Sequence, residues 1–312
     1  MKQRPKRLGT NRTLSVLRNW RLYIMFLPGF LCLFMFSYIP MYGLQLAFKE
    51  YSPRYGITGS EWNNFENFIY TLGSEGFWEM AGNTLSIGML KIIFAFPSSI
   101  ILALMLNEVF CKRFKKVVQT IANLPYFISW VIVSSIVYMF LAKDGGVFNK
   151  IIVDLGGEPV FWYAEPKWWQ GIITISGIWK NVGWGTIVFL SAITNINPDL
   201  YEAAKVDGAS RLHQCIHVTI PGIMPAITMT FILCVAGIVK DDFEHIYALV
   251  GDSSILSETT EVLGTWVYKT LHGGFRGWGD ATAVGLVQSV AGAILMAASN
   301  WLVKRQGQEG LW

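Results

Sequence analysis

Charge is scarce in this chain. Asp, Glu, Lys and Arg make up 15% of its 312 residues, where a soluble domain carries about a quarter. The shortage is concentrated in long uncharged runs, and 53% of the residues are hydrophobic, with a mean hydropathy of +0.40. This excludes an ordinary soluble domain and implies a multi-span membrane protein. Cysteine is also sparse: Cys32, Cys111, Cys215 and Cys234 are scattered and form no CxxC pair. Neither a zinc site nor a disulfide framework is indicated, and such cysteines read as small hydrophobes. No GxxxxGK[ST] loop, HExxH pair or GxSxG elbow occurs, and none of those chemistries is assigned to this chain. The expectation is a protein that is not an enzyme by itself, holds no cofactor or metal, and has membrane lipid rather than nucleic acid around it. No repeat of 20–50 residues is visible.

What the chain does have is apolar runs of membrane length. A bilayer core needs about 20 mostly apolar residues in a helix. Six segments qualify: 22–48, 78–110, 114–142, 168–194, 218–239 and 281–303. Arg4, Lys6, Arg7, Arg12, Arg18 and Arg21 precede the first, as in a secretory signal. That run is longer than a signal's core of roughly 7–15 residues and has no clear small-residue cleavage site, so it reads as a retained span. Lys and Arg concentrate in the N-terminal arm (1–21), the turn at Lys112, Arg113, Lys115 and Lys116, the loop 195–217 and the tail 304–312. The alternate loops hold acids, among them Glu50, Glu61, Glu66, Asp144, Asp154, Asp241, Asp242, Glu258 and Glu261. The positive-inside rule therefore puts both termini in the cytoplasm, which six spans satisfy. The outer loops are also rich in aromatics, including Trp62, Phe161, Trp162, Trp168, Trp169, Phe275 and Trp278. Most suit an interfacial belt, and the rest suit a docked protein or a sugar face.

Between the fourth and fifth runs lies a polar segment, residues 197–210. Asn197 is a good N-cap, Pro198 suits the first helical position, and Asp199 and Glu202 sit near the positive end of the helix dipole. Ala203, Ala204, Gly208 and Ala209 are small enough for another surface to come close. A capped polar helix on the cytoplasmic side, flanked by spans, reads as a docking piece.

Three lysines, Lys91, Lys180 and Lys240, fall within spans or at their ends. A charge at the bilayer centre costs about 2.5–3.5 kcal/mol on insertion scales and is a functional candidate by default. Lys240, at the outer end of the fifth span, can snorkel. Lys180 stands beside Asn181 and between Trp179 and Trp184. Aromatics with polar neighbours suit a carbohydrate, and a cation suits an acidic one; helix–helix hydrogen bonding or snorkelling is the alternative. His213 and His217, four apart, would share one helix face, either as a metal pair or, the preferred reading, as an ordinary interfacial face. Asn83 and Thr84 read as a polar packing pair.

Glu202-Ala203-Ala204, then Gly208 after three residues, then Val218-Thr219-Ile220-Pro221 after nine more, resembles the EAA loop of ABC importer permeases (residues 197–221). Val218 and Ile220 stand where that pattern has Ile and Leu. The stretches 38–49, 59–68 and 178–186 are similar to the carbohydrate branch, specifically to permeases for polysaccharide-derived oligosaccharides, including acidic ones such as alginate or rhamnogalacturonan fragments. The resemblance runs from about residue 20 to 305. It implies an all-α membrane protein with six transmembrane helices, the type I importer permease fold, and a cytoplasmic coupling helix between helices 4 and 5. Residues 22–77 would be the first helix and an outer loop, and 78–303 the transporter transmembrane domain. The implied partners are a second, non-identical permease subunit, two copies of a cytoplasmic ATPase that uses ATP and Mg, and an extracytoplasmic solute-binding protein, in a bacterial cytoplasmic membrane. By position, Glu202, Ala203, Ala204, Asp207 and Gly208 would couple to the ATPase, with Glu202 as its ion-pairing residue. Lys180, Asn181, Trp179 and Trp184 are the candidate solute pathway. An ion-coupled secondary transporter is the competing class, but it usually needs acids within spans, and here Glu79 and Glu108 lie only near span ends; a membrane scaffold would not need the EAA spacing. Gly208→Asp is expected to leave insertion intact and to abolish solute-stimulated ATP hydrolysis by the reconstituted complex; unaltered stimulation would remove the docking assignment.

Overall fold

The computed structural model describes residues 19–240, 242–273, 277–308 and 310–312. Arg4, Lys6, Arg7, Arg12, Arg18, Asp241 and Phe275 lie outside the described residues. Long apolar sequence becomes helix because a helix satisfies its backbone groups internally, as lipid demands. The principal helices are α1 (Trp20–Phe48), α2 (Glu75–Glu108), α3 (Lys112–Phe127), α4 (Trp130–Leu141), α5 (Trp169–Thr194), α6 (Pro198–Val206), α7 (Arg211–Gly222), α8 (Met224–Ala236), α9 (Phe243–Val250) and α10 (Gly277–Arg305). Three of them, α1, α2 and α10, are long and apolar enough to cross a membrane unaided. The 26 residues of α5 give about 39 Å of helix, also a spanning length, though Gln170, Lys180 and Asn181 make it less apolar.

The third and fifth runs are not straight. The chain turns by 103° between α3 and α4 and by 62° between α7 and α8, and each pair reaches membrane length and apolarity only with its two halves taken together. Proline is the physical reason. Pro125 tightens the end of α3 into a 3₁₀ turn, Ile128 is extended, and Ser129 restarts the helix by accepting the Ile132 N–H on its hydroxyl at 3.4 Å. Pro225 opens α8 at its first turn, just past the break.

The loops 49–74, 143–168 and 243–272 gather at one end of the bundle. A two-stranded antiparallel ribbon there pairs β1 (Lys49–Glu50) with β2 (Glu61–Trp62), in register Lys49↔Trp62. Buried Asn67 staples the end of α1 by donating to the carbonyls of Leu46, Ala47 and Lys49. The Asn83–Thr84 pair does pack, but against a loop. Asn83 donates to the Glu258 and Glu261 carbonyls, and the Thr84 hydroxyl accepts the Leu263 N–H.

Among the described residues, buried apolar side chains form three clusters. Two lie at the loop end, one around Trp169, Ile173, Ile87, Ile246 and Leu256, the other around Phe77, Met80, Leu263 and Val284. The third, Ala103, Phe189, Ile193 and Ile223, lies at the opposite end. Helix α1 contrasts with the rest. Its first fourteen residues bury none of their side chains, and Phe26, Phe30, Phe34 and Tyr38 form an i, i+4 aromatic ladder with centroids 6.0–6.2 Å apart. Only its final stretch, Ile39–Phe48, packs on α10.

Helix α5 is the axis of the bundle, touching α2, α3, α8 and α9. Small residues permit that closeness. A Cβ at Gly183 would run into the Ala122 carbonyl of α3, whereas one at Gly171 would meet nothing within 4 Å. Gly183→Ala is therefore expected to cost about 1–3 kcal/mol, as overpacking does, and to lower the unfolding temperature of the detergent-purified protein. Gly171→Ala, on the same helix, should leave that temperature unchanged or raise it slightly, since Ala is the better helix former.

Candidate functional site

The polar helix α6 forms as its caps dictate. The Asn197 side chain accepts the Asp199 N–H at 3.1 Å, and Pro198 occupies the first turn. At the other end the Gly208 N–H reaches the Lys205 carbonyl at 3.0 Å and the Ala209 N–H the Ala204 carbonyl at 2.9 Å. This is a Schellman closure, and it needs the left-handed backbone that Gly208 adopts at φ +77°. Ser210 then caps α7 by accepting the His213 N–H. Tyr201 and Thr219 share a 3.0 Å hydroxyl contact that holds α6 to α7. Arg211 pairs with Glu108 at 3.1 Å, tying the segment to the end of α2.

Glu202, Ala203, Asp207 and Gly208 are exposed, and Ala204 is half-buried. Ala204, Asp207 and Gly208 border a hollow of about 560 Å³ whose other wall is α7, with Ser210, His213 and His217. Leu200, Val206 and Leu212 stand out to solvent beside it, Val206 at 88% exposure. The structure thus brings the expected coupling residues onto one protruding, well-capped surface. His213 and His217 share one face of α7, their rings stacked at 4.1 Å.

The second place is a cavity of about 540 Å³ between α2, α5 and α8. Thr174, Gly177, Asn181, Trp184 and Val188 line it, a spacing that puts one face of α5 against it. Of the four pathway candidates, Asn181 and Trp184 lie there. The indole of Trp184 stacks on Tyr126 at 4.6 Å, with planes 6° apart. Trp179 is exposed and does not line the cavity. Lys180 occupies the neighbouring face, buried, with its ammonium donating to the Tyr126 carbonyl at 2.9 Å and lying over the rings of Tyr126 and Trp130.

Other polar residues line the cavity that sequence reasoning did not bring together. Lys91, in the middle of α2, donates to Asp242 at 2.7 Å, and Lys240 lies on the same wall. Lys91 stood out in the sequence as a charge within a span. Its carboxylate partner, 151 residues away, read as one acid among many in a loop. Just beyond Asp242, fully buried His245 stacks flat on Trp130 at 3.7 Å and contacts the Ser176 hydroxyl at 3.0 Å. No pattern in the sequence marks that seat.

Membrane-length helices around a mainly apolar cavity that holds a few charged and polar groups, with a capped polar helix between two of them, fit a membrane-embedded component of a transport machine. The comparisons give it a family. Residues 95–307 match the binding-protein-dependent transport system inner membrane component family, and the chain belongs to it. It is 39% identical to the polygalacturonan/rhamnogalacturonan transport system permease protein YteP of Bacillus subtilis (strain 168), across all of this chain and 95% of that protein. It is 38% identical to Protein LplB of the same organism, over 97% and 95%. A crystal structure of a bacterial alginate ABC transporter, in complex with an alginate pentasaccharide-bound periplasmic protein, superimposes with a TM-score of 0.86. That match has 36% identity and covers 97% of this chain and 100% of the other. The chain is therefore a multi-pass inner-membrane permease with the type I fold.

The geometry separates two demands on Gly208. Within this chain a Cβ there has open space, so the internal constraint is the left-handed backbone alone. Asn tolerates that conformation and β-branched residues do not. Gly208→Asn is expected to retain most solute-stimulated ATP hydrolysis and Gly208→Val to lose most of it. Equal loss in both would place the constraint in the partner's surface instead.

Proposed function

We propose that this chain is one permease half of an ATP-driven importer that moves acidic oligosaccharides across the bacterial cytoplasmic membrane. The observation that carries the reading is the α6 surface: a capped helix presenting Glu202, Ala203 and Gly208 to a partner while anchored to α2 and α7. In this reading two copies of a cytoplasmic ATPase, using ATP and Mg, push on α6 and its counterpart in a second, non-identical permease. The spans rock between inward- and outward-open states as a rigid-body change. Both termini, 1–21 and 304–312, are cytoplasmic, 22–77 carries the first span and an outer loop, and 78–303 translocates the solute. This chain itself binds no cofactor and performs no catalysis. An extracytoplasmic binding protein delivers solute to the loop end.

The solute class rests on two supports. Relatives of high coverage are named for polygalacturonan, rhamnogalacturonan and alginate. The cavity combines the exposed indole of Trp184 with the exposed Asn181 amide, which suits a sugar's apolar ring faces and hydroxyl rim. The test is a reconstituted complex of this chain, its partner permease, the ATPases and the binding protein. Oligogalacturonides are expected to stimulate ATP hydrolysis and to accumulate in the vesicles only when ATP is supplied. Accumulation driven by a proton or sodium gradient without ATP would make the chain a secondary transporter and overturn the reading.

A further inference from the structure

The Lys91–Asp242 pair lies where a membrane protein has least reason to keep charge. Lys91 is at the centre of the 34-residue α2, and it opens a π-helical turn, Lys91–Ala95, a distortion that often accompanies function. Asp242 reaches it because regular helix stops at Ala236, the last residue of α8. From Gly237 the backbone is irregular, and Gln288 of α10 donates to the Val239 carbonyl at 3.1 Å. Irregular backbone at membrane depth survives where it is buried in protein or lines a cavity, and Gly237, Ile238, Lys240 and Asp242 all line this one.

Asp242 also has a second place to go. It occupies the N-cap position of α9, where an aspartate normally accepts an N–H of the first turn. Here its side chain makes no such bond and points to Lys91 instead. Its side chain is 58% exposed, so the pair is open on the cavity side. The charged lining residues among those described are two lysines, Lys91 and Lys240, and one carboxylate.

We infer that Lys91 is a carboxylate-binding site for the anionic solute, masked in the solute-free chain by Asp242. A uronate carboxylate entering the cavity takes the Lys91 ammonium, and Asp242 turns to cap α9. Each charge keeps a partner in both arrangements, so the exchange needs no bare ion at membrane depth. The gain for the solute is selectivity: a neutral sugar of the same shape has nothing to exchange. This rests on the acidic-oligosaccharide reading proposed above.

The test uses the complete reconstituted complex with tetragalacturonate and its fully methyl-esterified counterpart, at matched loading of the binding protein. Wild type is expected to favour the acid. Lys91→Met should reduce acid uptake about tenfold, the scale of one charge-assisted hydrogen bond, while ester uptake stays within about twofold. Lys91→Arg should keep the preference, and Asp242→Asn, which unmasks Lys91 and can still cap α9, should keep or strengthen it. Equal loss of both solutes in Lys91→Met, with uptake of both restored by the swapped pair Lys91→Asp with Asp242→Lys, would make the pair a structural clasp and overturn the site. A wild-type complex that moves neutral sugars and refuses both galacturonides overturns the solute class together with this site. A wild type that favours the acid, with Lys91→Met favouring it equally, overturns the site alone.

Discussion

A helix that breaks inside a membrane must find partners for the carbonyls its break sets free. The 103° turn between α3 and α4 carries the i+4 N–H away from the Tyr126 carbonyl, and the Lys180 ammonium takes that place at 2.9 Å. The same bond resolves the lysine's own difficulty, because its charge is buried against two aromatic faces and a strong acceptor. Much of the architecture follows from it. The turn presents Trp130 for His245 to stack on, that stack seats α9 between α4 and α5, and the seated helix places Asp242 opposite Lys91.

The two lysines at span centres solve one problem in different ways. Each carries an insertion cost of about 2.5–3.5 kcal/mol. Lys180 offsets it with a backbone oxygen that cannot leave, so its contribution is fixed geometry. Lys91 offsets it with a carboxylate on an irregular segment that has an alternative partner close by. Burial follows the same division: Lys180 is 7% exposed, and Asp242 stands largely open to the cavity.

Spans were legible in the sequence because lipid imposes length and apolarity together, and α1, α2 and α10 answer closely to the runs 22–48, 78–110 and 281–303. The capped helix α6 was legible for a local reason: Asn197, Pro198 and Gly208 act within a few residues of themselves. The breaks were half legible. Pro125 and Pro225 stand at the breaks in the sequence, but the angle at the first depends on what Lys180 and Ser129 supply, which involves packing across the bundle. Asn181 and Trp184 lie on the face of α5 that lines the cavity, whereas Lys180, one residue from Asn181, faces α3, a division the run of polar and aromatic neighbours did not reveal. The cavity's ion pair was not legible at all, since no local pattern links Lys91 to a residue 151 positions on.

The π-turn at Lys91–Ala95 divides α2 between two neighbourhoods. Phe77, Met80 and Ile87, before it, belong to the apolar clusters at the loop end, and Ala103, after it, belongs to the cluster at the end that bears α6. Helix α5 is divided likewise, with Trp169 and Ile173 on one side and Phe189 and Ile193 on the other. The cavity thus lies between the apolar clusters of the two ends, and α2 and α5 both pass it. One of those helices is slackened where it crosses, since a widened turn resists torsion less than regular helix. A rotation of one end against the other would leave the apolar clusters intact and concentrate its strain at the level of the cavity.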